Sequence, residues 1–140
     1  MAGFSKYLAK AIYDATLNGT RSNVTAATNV YIALHTAAPN DDTGGNETTY
    51  TNYARVNIGA GVFTVSDTGV APEVTYTATS NTDVTFPDCG ATGATISHWA
   101  IWDASTAGNL LYSGAFTSSR TIVTGDVVVI KSGQLILNLI

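Results

Sequence analysis

Charge is scarce in this chain. Asp, Glu, Lys and Arg make up 11% of its 140 residues, where about a quarter is usual in a globular protein. The net charge is −4, and the six cations, Lys6, Lys10, Arg21, Arg55, Arg120 and Lys131, are scattered. Without a basic stripe to meet a phosphate backbone, nucleic acid is disfavoured as a partner. Cys89 is the only cysteine, so an intramolecular disulfide is excluded and a multi-Cys metal site disfavoured. It reads as a small buried thiol. No run of about 18 apolar residues occurs, so no membrane helix is expected. Lys6, Lys10 and Asp14 interrupt the N-terminal stretch, which does not read as a secretory signal. Synthesis in a cytoplasm without export is the expectation.

Reaction chemistry is equally thin. No Ser sits in a Gly-x-Ser-x-Gly elbow. Gly59-Ala-Gly61 lacks the third glycine and the following helix of a dinucleotide loop. His35 and His98 come with no carboxylate or Cys spacing that would make a metal site. Asp88 and Asp103 lie at turn positions where Asp is structurally ordinary. No catalytic residue, cofactor or metal is therefore expected, and the chain does not read as an enzyme.

What the chain has is 45% hydrophobic residues and an abundance of Thr, Ser and Asn. β-Branched Thr suits a pleated surface, and short polar side chains favour turns. One helix is predicted, from Gly3 to Leu17. Phe4, Tyr7, Leu8, Ala11, Ile12 and Ala15 fall at three- and four-residue spacing and form one apolar stripe. Asn18-Gly19 supplies the left-handed stop. Such a stripe either lies across the β domain or docks on a partner subunit.

Beyond a polar connection from Thr20 to Thr28, strands follow one another. Asn29–His35 alternates, with Val30, Ile32 and Leu34 on one face and His35 reading as a surface histidine at the strand end. Thr36 to Asn52 is rich in Pro, Gly and paired acids and reads as an exposed contact loop. Asp41, Asp42 and Glu47 could in principle approach Ca²⁺, but the calcium-loop spacing is not met. Tyr53–Ile58 turns Ala54, Val56 and Ile58 inward and Arg55 and Asn57 outward. Val62–Ser66 precedes a turn at Asp67-Thr-Gly69, and Glu73–Thr79 and Asp83–Phe86 follow. The stretch His98–Phe116 reads as a hairpin with Trp99 and Trp102 on its first arm and a turn at Ser105–Asn109. Thr121–Val123, Val127–Ile130 and Gln134–Ile140 close the chain. The last of these is apolar enough that it must be paired.

One helix and eight or nine short strands at near-regular spacing predict a mainly β fold. The expected architecture is a single β-sandwich or jelly-roll-like domain over residues 1–140, with one N-terminal amphipathic α-helix at 1–19 and the sandwich at 29–140.

The order of several pieces resembles a group of small virion structural proteins of tailed bacteriophages. These are tail-fibre-like proteins, some acting as capsid decoration or cement proteins. The pieces are the helix Phe4-Ser-Lys-Tyr-Leu-Ala-Lys-Ala-Ile-Tyr13, the strand and loop Val30–Asp42, the aromatic–Ala–Arg element Tyr53-Ala-Arg55 and the Val-x-Phe-Pro element Val84-Thr-Phe-Pro87. They continue with Asp103-Ala-Ser-Thr-Ala-Gly-Asn-Leu-Leu111 and the Gly125-Asp126 turn. Together they span nearly the whole chain. Trp99, Trp102 and His35 depart from the group's pattern.

The resemblance implies a virion protein without catalytic residues. A capsid cement protein is the first expectation: a homo-oligomer, a trimer in first place, on the capsid surface, bridging subunits of the major capsid protein and stabilising the head. The alternative is a tail-fibre or baseplate component that recognises the host surface, with Trp and Tyr as a glycan platform and the Asp41–Glu47 loop reaching the receptor. Candidate partner contacts under either reading are Phe4, Tyr7, Leu8, Ile12, Asp41, Asp42, Glu47, Trp99 and Trp102. A glycan hydrolase lacks its carboxylate pair.

Overall fold

The computed structural model describes residues 3–19, 28–70 and 73–139. The connection expected at Thr20–Thr28 lies outside them except for Thr28. Strand β1 (Gly3–Phe4) precedes helix α1 (Lys6–Thr16), then β2 (Tyr31–His35), β3 (Val56–Asn57), β4 (Phe63–Val70) and β5 (Glu73–Ser80). The chain continues through β6 (Val84–Thr85), β7 (Ala94–Trp102), β8 (Leu110–Ile122), β9 (Val129–Ile130) and β10 (Ile136–Leu139). The described strands form a five-stranded sheet in the order β1-β8-β7-β2-β3, a three-stranded sheet β10-β5-β4 and a pair β6-β9. The fold is mainly β and sandwich-like, with one N-terminal helix.

The helix begins later than its apolar stripe predicts. Phe4 is not helical; it pairs with Tyr112 across β1 and β8, and the two rings stand 5.5 Å apart. Ser5 is the reason. Its backbone is extended, its hydroxyl oxygen accepts from Leu8 N at 3.2 Å, and the same hydroxyl donates to the Leu110 carbonyl. That hydroxyl caps the first turn and ties it to the sheet. Leu8 and Ala11 are buried, while Ile12 is 38% exposed, so the covered stripe is narrower than its spacing suggests.

β7 is central, and each of its faces feeds a different core. Ile96, Trp99 and Ile101 join Ile32, Leu34, Val84, Phe86, Ile130, Leu135 and Leu137 in the larger core, between the five-stranded sheet and the smaller sheets. Ala100 and Trp102 face the other way, with Ala33, Leu110 and Tyr31. Strict alternation would put Ile96 on the Trp102 face. The register instead jumps from Ile96↔Arg120 to His98↔Ala115, so residues 116–119 of β8 stand opposite Ser97 alone. The extra residues lie on β8, and at this irregularity β7 departs from strict alternation, leaving Ile96 on the Trp99 side.

Four further expectations are corrected. The turn predicted at Asp67-Thr-Gly69 lies inside β4, because eight successive pairings with β5 outweigh the local turn preference. Thr36–Asn52 is not wholly exposed: Pro39, Gly44, Thr48 and Tyr50 are buried along it. The loop folds back over β2, and His35 beneath it is fully buried rather than at the surface. Arg55, predicted to point outward, keeps only 8% of its side chain exposed, for the reason given below. The apolar C-terminal strand is paired as its composition requires, β10 lying along β5.

Candidate functional site

The residues with the most concentrated polar chemistry meet at Trp102. This tryptophan ends β7, and its indole is enclosed from two directions. On one, Gly44 of the folded-back loop approaches so closely that a Cβ there would sit 2.4 Å from the ring. Gly44 also has φ +76°, a left-handed conformation that favours glycine. On the other, the Arg55 guanidinium carbon stands 3.9 Å from the ring centre, a cation–π contact.

All three guanidinium nitrogens of Arg55 are engaged within this junction. Nε and Nη2 donate to Glu47 Oε1 and Oε2 at 2.8 and 2.7 Å. Nη1 donates to the carbonyls of Ala104 and Ala107 at 3.0 and 2.8 Å. A planar guanidinium suits this bidentate arrangement, and the carbonyl bonds anchor the hairpin turn between β7 and β8. Tyr53 adds a third donor to Glu47 at 2.8 Å, and its oxygen accepts from Leu34 N at 3.1 Å. Burial pulls the Glu47 carboxyl upward, but hydrogen bonds from Arg55 and Tyr53 outweigh it and hold the group below its usual range.

The turn itself is rigid by design of its ends. Asp103 Oδ1 accepts from Asn109 N and Oδ2 from Asn109 Nδ2, both at 2.7 Å. Ala107 and Gly108 are left-handed, at φ +50° and +75°, and a Cβ on Gly108 would strike Asp103 Oδ1 at 2.5 Å. Ser105, Thr106, Ala107 and Gly108 are left exposed at the tip. On the loop side, Asn40 Oδ1 accepts from Asp42 N at 2.9 Å, and Asp42 pairs with Lys6 of α1 at 2.9 Å. Asp41, Asp42 and Thr43 face solvent.

The nine contact candidates therefore separate. Asp41 and Asp42 are exposed on the loop, and Ile12 is partly exposed on α1. Phe4 and Tyr7 are half-buried, and Glu47 is engaged by Arg55 and Tyr53. Leu8, Trp99 and Trp102 are interior, the two tryptophans being 4% and 5% exposed. A Trp99–Trp102 glycan platform is thereby removed, because both rings are consumed by packing within the chain. Sequence reasoning missed Arg55, Tyr53 and Gly44 as the residues that organise this end. Arg55 contacts residues about fifty positions away, which no local pattern reports.

The arrangement offers a polar rim fastened by side-chain hydrogen bonds. Among the described residues, no three of His, Cys, Asp or Glu converge to hold a metal ion, and no helix is long and apolar enough to cross a membrane. Cys89 is buried, as a small apolar thiol would be.

No curated protein matches the chain. The family model described as "Podophage GP4 fiber I protein gp80" matches residues 3–138. That span takes in α1, the strands described above but for the last residue of β10, and the rim around Trp102. The chain thus belongs to the podophage GP4 fiber I protein gp80 family and is a structural protein of a tailed-phage virion.

Proposed function

We propose that the chain is a tail-fibre component that contacts the host surface, in a non-enzymatic role. The family's fibre description carries this reading and favours it over capsid cement. The geometry supports a contact made through fixed polar groups rather than stacked aromatics. Asp41, Asp42, Thr43, Ser105 and Thr106 are exposed on two segments that Arg55, Glu47 and Gly44 fasten around Trp102. Preorganised loops lose little entropy on binding. A homotrimer is the assembly we assign, supported by exposed Val65, Val70, Tyr76 and Ile136 on the three-stranded sheet.

Immunogold labelling of intact virions tests the placement. Label at the tail, with a copy number that is a small multiple of the tail symmetry, is the expected result. Label over the head, at a stoichiometry matching the major capsid protein, would overturn it in favour of cement. Purified chain should compete with phage for adsorption to host cells, and a double Asp41→Ala, Thr106→Ala variant should compete less well. Equal competition by the variant would remove the rim from the contact. A monomeric mass in solution would remove the trimer.

A further inference from the structure

His35 ends β2 with no exposed surface, under the segment that runs from Thr36 to Thr48. Its Nδ1 lies 2.8 Å from the Gly45 carbonyl oxygen. A carbonyl only accepts, so Nδ1 holds the ring proton and donates it. Nε2 is then a lone-pair acceptor, and it is buried without a hydrogen-bond partner. The hydroxyl of Thr48, on the covering segment, is a second buried polar atom without a partner. Two main-chain bonds tie the segment to the rest of the chain, Thr48 N to Leu34 O at 2.9 Å and Lys6 N to Asp41 O at 3.3 Å. Beside them stand the His35↔Glu47 bridge, the Ser97 hydroxyl on the Thr36 carbonyl and the Arg55 and Tyr53 bonds to Glu47. Thr36 N to Asn46 O closes the segment on itself.

The charged and titratable groups around His35 leave an imidazolium uncompensated. Glu47 on the segment attracts it, whereas Arg55 and His98, the latter its cross-strand neighbour on β7, oppose it. Both Glu47 oxygens are already engaged by Arg55 and Tyr53. His98 is turned to Ser97, its Nδ1 2.8 Å from that hydroxyl. A proton added at Nε2 would place a charge and an unpartnered N–H in the interior, and either is costly there.

We propose that residues 36–48 form an acid-released flap, freed from the sheet when His35 takes up a proton. Opening lets the imidazolium reach water, bares Trp102 where Gly44 covers it, and parts Asp41 and Asp42 from the start of α1. Burial holds His35 below its ordinary value near 6.5, in the direction the flap requires. The open form binds the proton near that value and the closed form only at lower pH. Well below 6.5 each opening thus takes up one proton, and the opening constant rises as pH falls, approaching about tenfold per pH unit until the closed form itself titrates. This device is independent of where the chain sits in the particle.

Amide hydrogen exchange of the full chain, corrected for the intrinsic rate at each pH, tests it. Protection at the Thr48 amide should fall about fivefold between pH 6.5 and 5.5, while the β7 amides of Ala100 and Ile101 hold theirs. His35→Asn keeps a donor for Gly45 and removes the titration, so its flap protection should be flat over that range. His98→Asn should behave as wild type. Undiminished Thr48 protection at pH 5 in the wild type would overturn the proposal, as would an equal loss in His35→Asn. Should His35→Asn fail to fold, the ring ¹⁵N shifts of the wild type decide. Imidazolium formation in step with flap exchange supports the flap; a neutral ring throughout the loss of protection overturns it.

Discussion

Arg55 and Trp102, forty-seven positions apart, form a cation–π junction, with the guanidinium carbon 3.9 Å from the ring centre. Through its N–H donors the same Arg55 holds Glu47 and the Ala104 and Ala107 carbonyls. One side chain thus joins the folded-back loop, the end of β7 and the β7–β8 turn. Since the junction is mostly shielded from water, its bonds weigh more than those of a surface pair such as Lys6–Asp42.

Arg55→Ala should therefore cost about 3 kcal/mol of unfolding free energy, because it leaves Glu47 half-buried without its counter-charge. Arg55→Lys retains the charge and loses the planar fork, so the loss should be smaller but clear. Lys6→Ala, breaking an exposed pair, should change stability by under about 0.5 kcal/mol. Urea denaturation of the three variants orders them, and an Arg55→Ala midpoint equal to that of Lys6→Ala would contradict the role given to the junction.

Gly44 and Gly45 separate backbone strain from steric contact. Both are left-handed, at φ +76° and +66°, but only Gly44 faces the Trp102 ring; nothing lies within 4 Å of a Cβ on Gly45. Gly45→Ala should cost about 1 kcal/mol, the left-handed penalty alone. Gly44→Ala adds overpacking and should cost about 3 kcal/mol in all. Thermal melts read the difference, and Gly44→Ala should also shift Trp102 emission.

Acid should weaken the fold in two windows. His35 has a folded value depressed below 6.5, so its contribution is present above that pH and lost as pH falls through the range beneath it. Glu47 is also depressed, from an ordinary value near 4.5, and its contribution is lost below that pH. Denaturant midpoints at pH 7.5, 5.5 and 3.5 should fall at each step. Glu47→Gln should shrink the second step and spare the first. The second will not vanish, since Asp14 and Asp83 are also held low by Lys10 and Lys131.

Ser5→Ala removes both the helix cap and the bond to Leu110 from a site only 2% exposed. A loss of about 2 kcal/mol is expected, at the upper end for a cap because the Leu110 carbonyl also loses its donor. Exchange should rise first at the Leu8 amide. Ser5→Thr should recover most of the loss, and its failure to do so would point to tight packing around Ser5 rather than capping.

The residues by themselves determined the class and the parts. Thr-rich alternation, scarce charge and regularly spaced turns gave a mainly β fold, because side-chain period and turn chemistry are local properties. The hairpin around Ser105–Asn109, the buried thiol at Cys89 and the need to pair the last strand were legible for the same reason. Tertiary structure decided what local pattern cannot hold. Ser5, not the apolar stripe, set the helix start, since its hydroxyl found Leu110. Pairing with β5 carried β4 through Asp67-Thr-Gly69. At the register shift opposite Ser97, Ile96 falls on the Trp99 side. The return of residues 36–52 over β2 buried His35, and Arg55 was drawn inward by partners near and far in sequence. Each of these depends on contacts between distant segments, whose energies exceed local preference and leave no mark on the spacing of neighbouring residues.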